Sequence, residues 1–255
     1  MRIRILGCSG GIGAGSRTSA MLIDDDVLLD AGTGIGDLAL EDLNSIRHVF
    51  LTHAHLDHIA GLPMLVDSNF EEDFDVPVSV YARRETLDAL KAHLFNDVIW
   101  PDFARIPNEE HPMLRYVVCN PGDTVTIDHR EFHAVDVLHS VPSLGYTVQN
   151  SGGVFAISGD TKTNQTLWPV LNACDDLKVL VIEVSFSDEY EDLATTAGHY
   201  CPSTMCRDLE LLNHNPEIWI TGMKPGQEDT ILSQVTEAVP DKKIRMLSRG
   251  TVITV

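Results

Sequence analysis

Short apolar runs separated by turns and charged residues dominate the pattern of this chain. Strands are predicted where such runs have strand length and carry β-branched or aromatic residues, at residues 1–6, 20–24, 27–29, 48–52, 132–138, 154–159 and 179–182. Helical spacing of apolar residues predicts helices at 59–66 and 84–95. The loop between the strand at 48–52 and the amphipathic segment at 59–66 has the position that binding sites of α/β enzymes favour.

That loop carries three histidines and one carboxylate. His53 and His55, two apart on an extended chain, project to the same side and can bind one ion through imidazole nitrogens, which suit zinc or iron. Asp57 and His58 lie at the turn into the helix, where they can reach a neighbouring ion. With 11 histidines in 255 residues, this spacing rarely arises by chance. We therefore interpret the cluster as a two-metal site and not as a solvated loop.

The spacing His-x-His-x-Asp-His resembles the signature of the metallo-β-lactamase superfamily. The resemblance implies an α/β fold, an αββα sandwich with a metal centre at its edge. It also implies a further histidine and a bridging aspartate at strand ends. His139 follows the apolar alternation at 132–138, and Asp160 follows the apolar run at 154–159. Each alone could be a turn or capping residue, but together with His53, His55, Asp57 and His58 we expect both to be metal ligands.

Three other stretches, 94–103, 139–146 and 198–202, resemble the class II 3′,5′-cyclic-nucleotide phosphodiesterases, and this resemblance runs over most of the chain. It implies hydrolysis of a cyclic nucleotide such as cAMP or cGMP by a hydroxide formed at the metals. Residues 84–115 would cover the pocket. Asn96, Trp100 and Phe103 are candidate contacts to the base or ribose, although aromatic residues fill cores more often.

The same resemblance suggests catalytic roles. His199, in a Gly-His motif, would contact the phosphate or protonate the leaving group, and Glu183 would orient it. The alternative for His199 is capping of a helix that begins near Pro202. Asp57 is counted among the catalytic residues as well as among the ligands. Lys224 is interpreted as a loop charge, with phosphate binding as the alternative.

The family pattern fails at one position. Class II enzymes have a last histidine ligand in a Thr-His-x-Lys-Pro context, whereas this chain has Gly222 there. Glycine offers no donor, so a second ion would keep Asp57, His58 and Asp160, with the fourth position open, as catalytic zinc sites allow. We expect two divalent ions, zinc preferred and iron or manganese as alternatives, with a weak second site. A single-metal site and an altered metal preference stay open.

The charge of the chain narrows the range of substrates that we expect. Its net charge is −20, from 38 acidic and 18 basic residues, and it contains no basic run. Proteins that bind long RNA or DNA normally neutralise several phosphates with lysine and arginine. A small phosphodiester is therefore the expected partner, and a nucleic-acid polymer is not. The acidity also fits a solubility or high-salt adaptation of the surface.

Length and composition fit one catalytic domain over residues 1–255, with no linker or repeat to divide it. The five cysteines lack a Cys-x-x-Cys pair and are expected to be free thiols in a reducing cytosol. Cys8 is expected to be a packed strand residue, with metal ligation as the alternative. The beginning of the sequence has no signal-peptide pattern, and no apolar segment approaches the roughly 18 residues of a membrane span. We expect a cytoplasmic protein without membrane contact, and a homodimer by resemblance only.

Two further loops are expected near the predicted site. The glycine-rich segment 7–19 matches neither common phosphate-binding pattern and is followed by a strand, which favours a tight hairpin loop with a backbone contact to substrate as the alternative. Asp30 lies at the end of the strand at 27–29. It is expected to support the metal loop by contacting the metal ligands, without binding a metal itself.

Two other classes of function use almost the same residues. A diiron protein for electron transfer or oxygen binding would need a closely similar ligand set, and a departure from the hydrolytic set is compatible with iron. A nucleotide-binding or sensing protein could retain the fold and lose efficient turnover through Gly222. Lactonase and thioesterase activities also remain open, because the same centre attacks carbonyl carbon.

Overall fold

The structure of the protein, a computed structural model, describes residues 1–69 and 76–255. The strands are β1 (Arg2–Gly7), β2 (Ala20–Ile23), β3 (Val27–Leu29), β4 (His48–Phe50), β5 (Val78–Ala82), β6 (Leu114–Val118), β7 (Thr124–Ile127), β8 (Arg130–Val137), β9 (Ser143–Asn150), β10 (Gly153–Ile157), β11 (Leu177–Glu183), β12 (Glu217–Thr221), β13 (Ile244–Met246) and β14 (Val252–Thr254). The helices are α1 (Leu40–Ser45), α2 (Leu56–Ile59), α3 (Leu62–Ser68), α4 (Arg84–His93), α5 (Leu167–Asn172), α6 (Glu191–Ala197), α7 (Pro202–Leu209) and α8 (Glu228–Ala238). None of these helices is long and apolar enough to cross a membrane.

The described strands form two mixed sheets. The first has the order β14-β1-β2-β3-β4-β5-β6, and the second has the order β13-β12-β11-β10-β9-β8-β7. Parallel pairing in the first sheet aligns β3 with β4 and β4 with β5. In the second sheet β10 and β12 both run parallel to β11. The carboxyl ends of these parallel strands therefore lie at one edge of each sheet, which is where ligand sites of α/β folds occur.

Three hydrophobic cores divide the molecule into four layers. The core between the sheets is built around Phe50 and Phe132, whose ring centroids lie 4.4 Å apart in a stacked arrangement. A second core joins the outer face of the first sheet to helices α3 and α4, and a third joins the outer face of the second sheet to α5, α7 and α8. Each sheet thus buries both faces, which explains why β3 and β10 are continuous apolar runs. The predicted αββα sandwich is confirmed.

The strand predicted at 154–159 ends at Ile157, and a glycine turn follows it. Gly159 has a φ of +61°, and a Cβ there would lie 2.4 Å from the carbonyl oxygen of Leu144. Only glycine fits so close an approach in this left-handed conformation. The turn brings Asp160 to the sheet edge.

The helix predicted at 59–66 is interrupted. Helix α2 begins at Leu56, directly after His55, and α3 begins at Leu62, with Gly61 between them. A Cβ on Gly61 would lie 2.5 Å from the side chain of Ile35 and 2.7 Å from the carbonyl oxygen of Gly32, so close packing against the Thr33–Asp37 turn requires glycine there. The early start of α2 places Asp57 and His58 in its short turn, next to the extended chain that carries His53.

Arg130 ties the two sheets together at the end remote from the metal-ligand loop. Its guanidinium, on β8, is 2% exposed and donates two hydrogen bonds of 2.7 Å to the carboxylate of Asp26 and one of 3.1 Å to Asp24, both in the β2–β3 turn. Burial disfavours the charged form of Asp26, but Arg130 outweighs this effect and lowers the pKa of Asp26 below its usual value. The bidentate geometry makes this a strong, oriented ion pair.

Replacing Arg130 with methionine should lower the free energy of unfolding at neutral pH by about 2 kcal/mol. This is less than for a fully buried pair, because the Asp24 and Asp26 side chains are 32% and 31% exposed. The measurement is urea unfolding. Arg105→Met is the control: it breaks an exposed pair with Glu109 and should change stability by less than about 0.5 kcal/mol.

The same pair should be pH-dependent. A lowered folded-state pKa means that Asp26 contributes stability above its unfolded-state value of about 3.9 and loses that contribution as pH falls through the folded-state value. The stability difference between the parent chain and Arg130→Met should therefore be full at pH 7 and shrink below about pH 4. A difference that stays constant across this range would contradict the assignment.

Candidate metal centre

Three imidazoles converge where the two sheets meet. His53 and His55 follow β4 on extended chain, and His139 follows β8. The candidate ligand atoms of these three residues all lie within 4.8 Å of one another, and His139 Nε2 is 3.1 Å from His55 Nδ1. His53 Nε2 is buried without a hydrogen-bond partner among the described residues. Since a buried polar atom without a partner is costly, this orphaned nitrogen fits a metal ligand.

A second group shares a carboxylate with the first. His58 Nε2 is 3.4 Å from Asp160 Oδ2 and 3.9 Å from Asp57 Oδ2. The same Asp160 oxygen is 3.9 Å from His53 Nε2, so Asp160 lies between the two groups. The structure thus brings all six residues predicted as ligands to one place, with Asp160 in the position that a bridging ligand would need.

The protonation states suit metal binding. Burial, reinforced by neighbouring imidazoles, lowers the pKa of His53 far below its usual value and lowers the pKa values of His55 and His139 as well. These three rings are therefore neutral at pH 7, as ligation requires. Burial would raise the pKa of Asp160, but the surrounding histidines, above all His58, hold it well below the usual range. The neutral imidazoles of His53, His55 and His139 beside the charged carboxylate of Asp160 fit a divalent zinc, iron or manganese ion.

Asp30 holds His58 from behind. Its Oδ2 lies 2.6 Å from His58 Nδ1, and its Oδ1 accepts hydrogen bonds from the backbone and hydroxyl of Thr52. A proton on Nδ1 that faces Asp30 leaves Nε2 facing Asp160. Burial disfavours the His58 imidazolium, but Asp30 and Asp160 outweigh this and raise the pKa of His58 well above its usual value. The expected contact of Asp30 with the metal loop is observed, and its role toward a metal stays a prediction; no signal in the sequence singled out Thr52.

His199 reaches the same cluster from the second half of the fold. Its Nδ1 is 3.0 Å from Glu183 Oε1 and 3.9 Å from Asp160 Oδ2. Glu183, 1% exposed at the end of β11, also accepts hydrogen bonds from the backbone amides of Thr161 and Tyr200. Burial lowers the pKa of His199, but Glu183 and then Asp160 outweigh it, so the pKa is raised. Hydrogen bonds from these two amides thus hold the Glu183 carboxylate in the position where it contacts His199.

The helix-capping alternative for His199 is wrong. Helix α7 is capped by Cys201 and Thr204, whose side chains bond to each other's backbone amides. The ring of His199 instead points to Glu183 and to the hydroxyl of Ser185, 3.1 Å from Nδ1. No motif in the sequence marks Ser185, and the only signal for it is its place two residues beyond Glu183 at a strand end.

Gly222 lies beside the second group, on the loop after β12. It lines one pocket together with Asp57, His58 and Asp160. Its φ is +74°, and a Cβ there would lie 3.4 Å from Glu183 Cβ, which leaves ordinary space for a side chain. Within the described ranges, the acidic and histidine side chains that line this pocket are Asp30, Asp57, His58 and Asp160. Gly222 therefore occupies the place expected for the last histidine but has no side-chain donor.

Residues 94–103 do not contact this pocket. Phe103 is 4% exposed in the outer core of the first sheet, and Trp100 packs against the same core. The side-chain oxygen of Asn96 accepts the backbone amides of Val98 and Ile99. The hypothesis that Phe103 stacks on a base is wrong, because its ring is buried in this core. None of residues 84–115 lines the pocket beside the ligands.

The cysteines are free, as expected. Cys8 is half-buried, packs against the core between the sheets and donates its thiol to the carbonyl of Leu247 at 3.4 Å. Burial raises the pKa of Cys8 to about 11, so the thiolate form that binds metals is disfavoured. The packed interpretation of Cys8 is therefore favoured over metal ligation.

A four-layer sandwich with a histidine–aspartate cluster at the meeting edge of its sheets defines a protein of the metallo-β-lactamase class. Residues 26–220 match the family model described as the Beta-lactamase superfamily domain, and the chain belongs to this family.

Named relatives support a more specific comparison. A 3′,5′-cyclic-nucleotide phosphodiesterase of Aliivibrio fischeri is 28% identical over 251 residues, covering 81% of this chain and 74% of the relative. A ribonuclease Z of Methanococcus maripaludis is 29% identical over 103 residues, covering 40% of this chain and 31% of the relative. Among solved structures, unliganded yeast PDE1 superimposes with a TM-score of 0.83 at 20% identity and covers 100% of this chain and 99% of its own, which shows a shared fold.

Asp30→Asn should weaken metal binding about 10- to 100-fold, because His58 loses the carboxylate that fixes its ring and raises its basicity. Zinc affinity, measured by competition with a chromophoric chelator, checks this. Asp25→Asn is the matched control, since Asp25 is an exposed carboxylate paired with Arg2. Equal zinc affinity in Asp30→Asn and the parent chain would contradict the role of Asp30.

Proposed function

We propose that this protein is a metal-dependent phosphodiesterase that hydrolyses a 3′,5′-cyclic nucleotide such as cAMP or cGMP. Membership of the family identifies the broader class, a metal-dependent hydrolase. The observation that carries the finer proposal is the alignment with a phosphodiesterase named for this substrate, which covers 81% of the chain. The ligand cluster supports it, because paired metal sites suit in-line displacement at phosphorus.

The proposed ligands divide into two sets. His53, His55 and His139 would hold one ion, Asp57 and His58 the other, with Asp160 between them. Bound ions would supply Lewis-acid polarisation of the phosphoryl oxygens and would lower the pKa of a bound water. We expect the second ion to bind more weakly, because Gly222 contributes no ligand.

His199 is the proposed proton donor to the leaving oxygen. Its imidazole is mostly buried, and its raised pKa favours a proton at neutral pH. The fixed carboxylate of Glu183 orients the ring through Nδ1, which leaves Nε2 as the atom available to a substrate oxygen. Glu183 thereby acts through His199 and needs no contact with the substrate.

The charge of the chain favours a small substrate. A net charge of −20 opposes the approach of a long polyanion, whose binding depends on many lysine and arginine contacts. A single phosphodiester needs only the metals and a few polar groups. We therefore propose a small phosphodiester and not a nucleic-acid polymer as the partner. We also propose that the protein acts in the cytoplasm and without a membrane partner.

Purified protein, reconstituted separately with zinc, manganese and ferrous iron, should hydrolyse cAMP or cGMP with at least one of these metals. His55→Ala should lower turnover by about 100-fold or more, because it removes a direct ligand. His93→Ala, which changes an exposed histidine at the end of α4, is the matched control and should retain parental activity. Absence of turnover with every metal would reject the cyclic-nucleotide assignment.

Gly222→His should add the missing donor and raise the amount of metal retained after dialysis, measured by inductively coupled plasma mass spectrometry. The left-handed backbone at this position should also lower the free energy of unfolding by about 1 kcal/mol. Gly226→His is the matched control: its φ is +88° and no atom lies within 4 Å of its Cβ, so it carries similar backbone strain without facing the ligands.

The activity of Gly222→His then distinguishes two hypotheses about the effect of glycine at this position. Increased phosphodiester hydrolysis would show that the second ion limits turnover in the parent chain. High activity that does not change would show that the histidine is dispensable in this protein.

A further inference from the structure

The pocket beside the second group of ligands is lined by two chemically different sets of residues. One set includes Asp57, His58 and Asp160, and the other includes Ser9, Gly10, Ser185, Gly222 and Lys224. Lys224 is the one lysine or arginine among the described residues that line this pocket. A substrate phosphate drawn to metals at the first set would therefore lie in a pocket with a single cationic side chain among its described lining residues.

The glycine-rich segment positions Lys224. Its ammonium donates a hydrogen bond of 2.8 Å to the carbonyl oxygen of Gly10 and lies 5.9 Å from the ring centroid of Phe186. The backbone amide of Lys224 donates to the carbonyl of Ser185, and the amide of Gly10 donates to the carbonyl of Met223. These backbone bonds fix the loop that carries Lys224 against the segment that faces it.

The ammonium retains donors for a ligand. An ammonium group has three N–H bonds, and one of them is directed at Gly10. Within residues 1–69 and 76–255 no carboxylate forms an ion pair with Lys224, although the chain has 38 acidic residues. An unpaired cation next to a pocket is suited to an anionic ligand.

Ser9 adds a neutral donor to the same set of lining residues. Its hydroxyl oxygen is buried and has no hydrogen-bond partner among the described residues. Buried hydroxyls are normally hydrogen-bonded, and an unmet one at a pocket wall indicates a ligand or water that completes it. Ser9 and Lys224 come from distant parts of the sequence and meet only because the segment Ser9–Gly10 pairs with Met223.

We propose that Lys224, assisted by Ser9, binds a non-bridging oxygen of the substrate phosphate on the side of the pocket where Gly222 leaves the second ion without its last ligand. The inference rests on the proposed phosphodiesterase function for its substrate class. Lys224 supplies a fixed positive charge to the phosphate at a place where the metal would be weakly held. Its role is to bind and orient the phosphate, and no proton leaves the ammonium.

The test measures inorganic phosphate binding to the zinc-loaded protein by isothermal titration calorimetry, which needs no turnover. Lys224→Met should weaken phosphate binding about 10- to 100-fold, as expected for the loss of a charge-assisted hydrogen bond. Lys224→Arg should restore most of the affinity. Lys178→Met is the matched control. Lys178 is an exposed lysine near the beginning of β11, at the end opposite to Glu183, and it is paired with Asp176.

Ser9→Ala should cause a smaller loss of phosphate affinity than Lys224→Met. Zinc content should be the same in all the variants, because an ammonium is not a metal ligand. Unchanged phosphate affinity in Lys224→Met, or a fall in its zinc content that accounts for the loss, would overturn the inference.

Kinetics with cAMP separate this inference from the proposed function. If the parent chain hydrolyses cAMP, Lys224→Met should raise KM more than it lowers kcat, because Lys224 contacts the phosphate before and during the reaction. If the parent chain fails to hydrolyse cyclic nucleotides yet Lys224→Met still loses phosphate affinity, the phosphate site stands and only the cyclic-nucleotide assignment falls. If Lys224→Met hydrolyses cAMP with parental KM and kcat, the phosphate site is overturned and the proposed phosphodiesterase function stands.

Discussion

One buried carboxylate, Asp160, is the constraint on which the site depends. Its oxygen lies 3.4 Å from His58 and 3.9 Å from both His53 and His199, so histidines from both halves of the fold converge on one negative charge. Burying such a charge is costly unless it is paired. The histidines hold the pKa of Asp160 well below its usual range, and Asp30 and Glu183 hold His58 and His199 in turn through hydrogen bonds.

Backbone geometry delivers that carboxylate. The left-handed turn at Gly159 ends β10 and places Asp160 at the sheet edge, while the extended chain after β4 and the early start of α2 place His53 and His58 opposite it. Far from this edge, the ion pair between Arg130 and Asp26 ties the two sheets together. The site is thus set by rigid strand ends and supported by packing on both sides of each sheet, which suits a preorganised catalytic centre.

The pocket around Gly222 combines a position without a side-chain donor and a nearby cation. A side chain would fit there, but glycine leaves the second ligand group one donor short. The neighbouring loop places Lys224 on the same pocket, held by the carbonyl of Gly10. Metal charge and an ammonium in the same pocket would both attract a phosphate, in a chain whose overall negative charge otherwise repels it.

The local features of this protein could be predicted from its sequence. The spacing His-x-His-x-Asp-His identified His53, His55, Asp57 and His58, and continuous apolar runs predicted the strands, because these signals depend on neighbours along the chain. Which distant residues join this cluster depends on the tertiary structure. The contacts of Ser185 and Lys224, and the burial of Phe103 in a core, depend on strand order and loop packing. Those arise from contacts between residues far apart in sequence, which local periodicity does not encode.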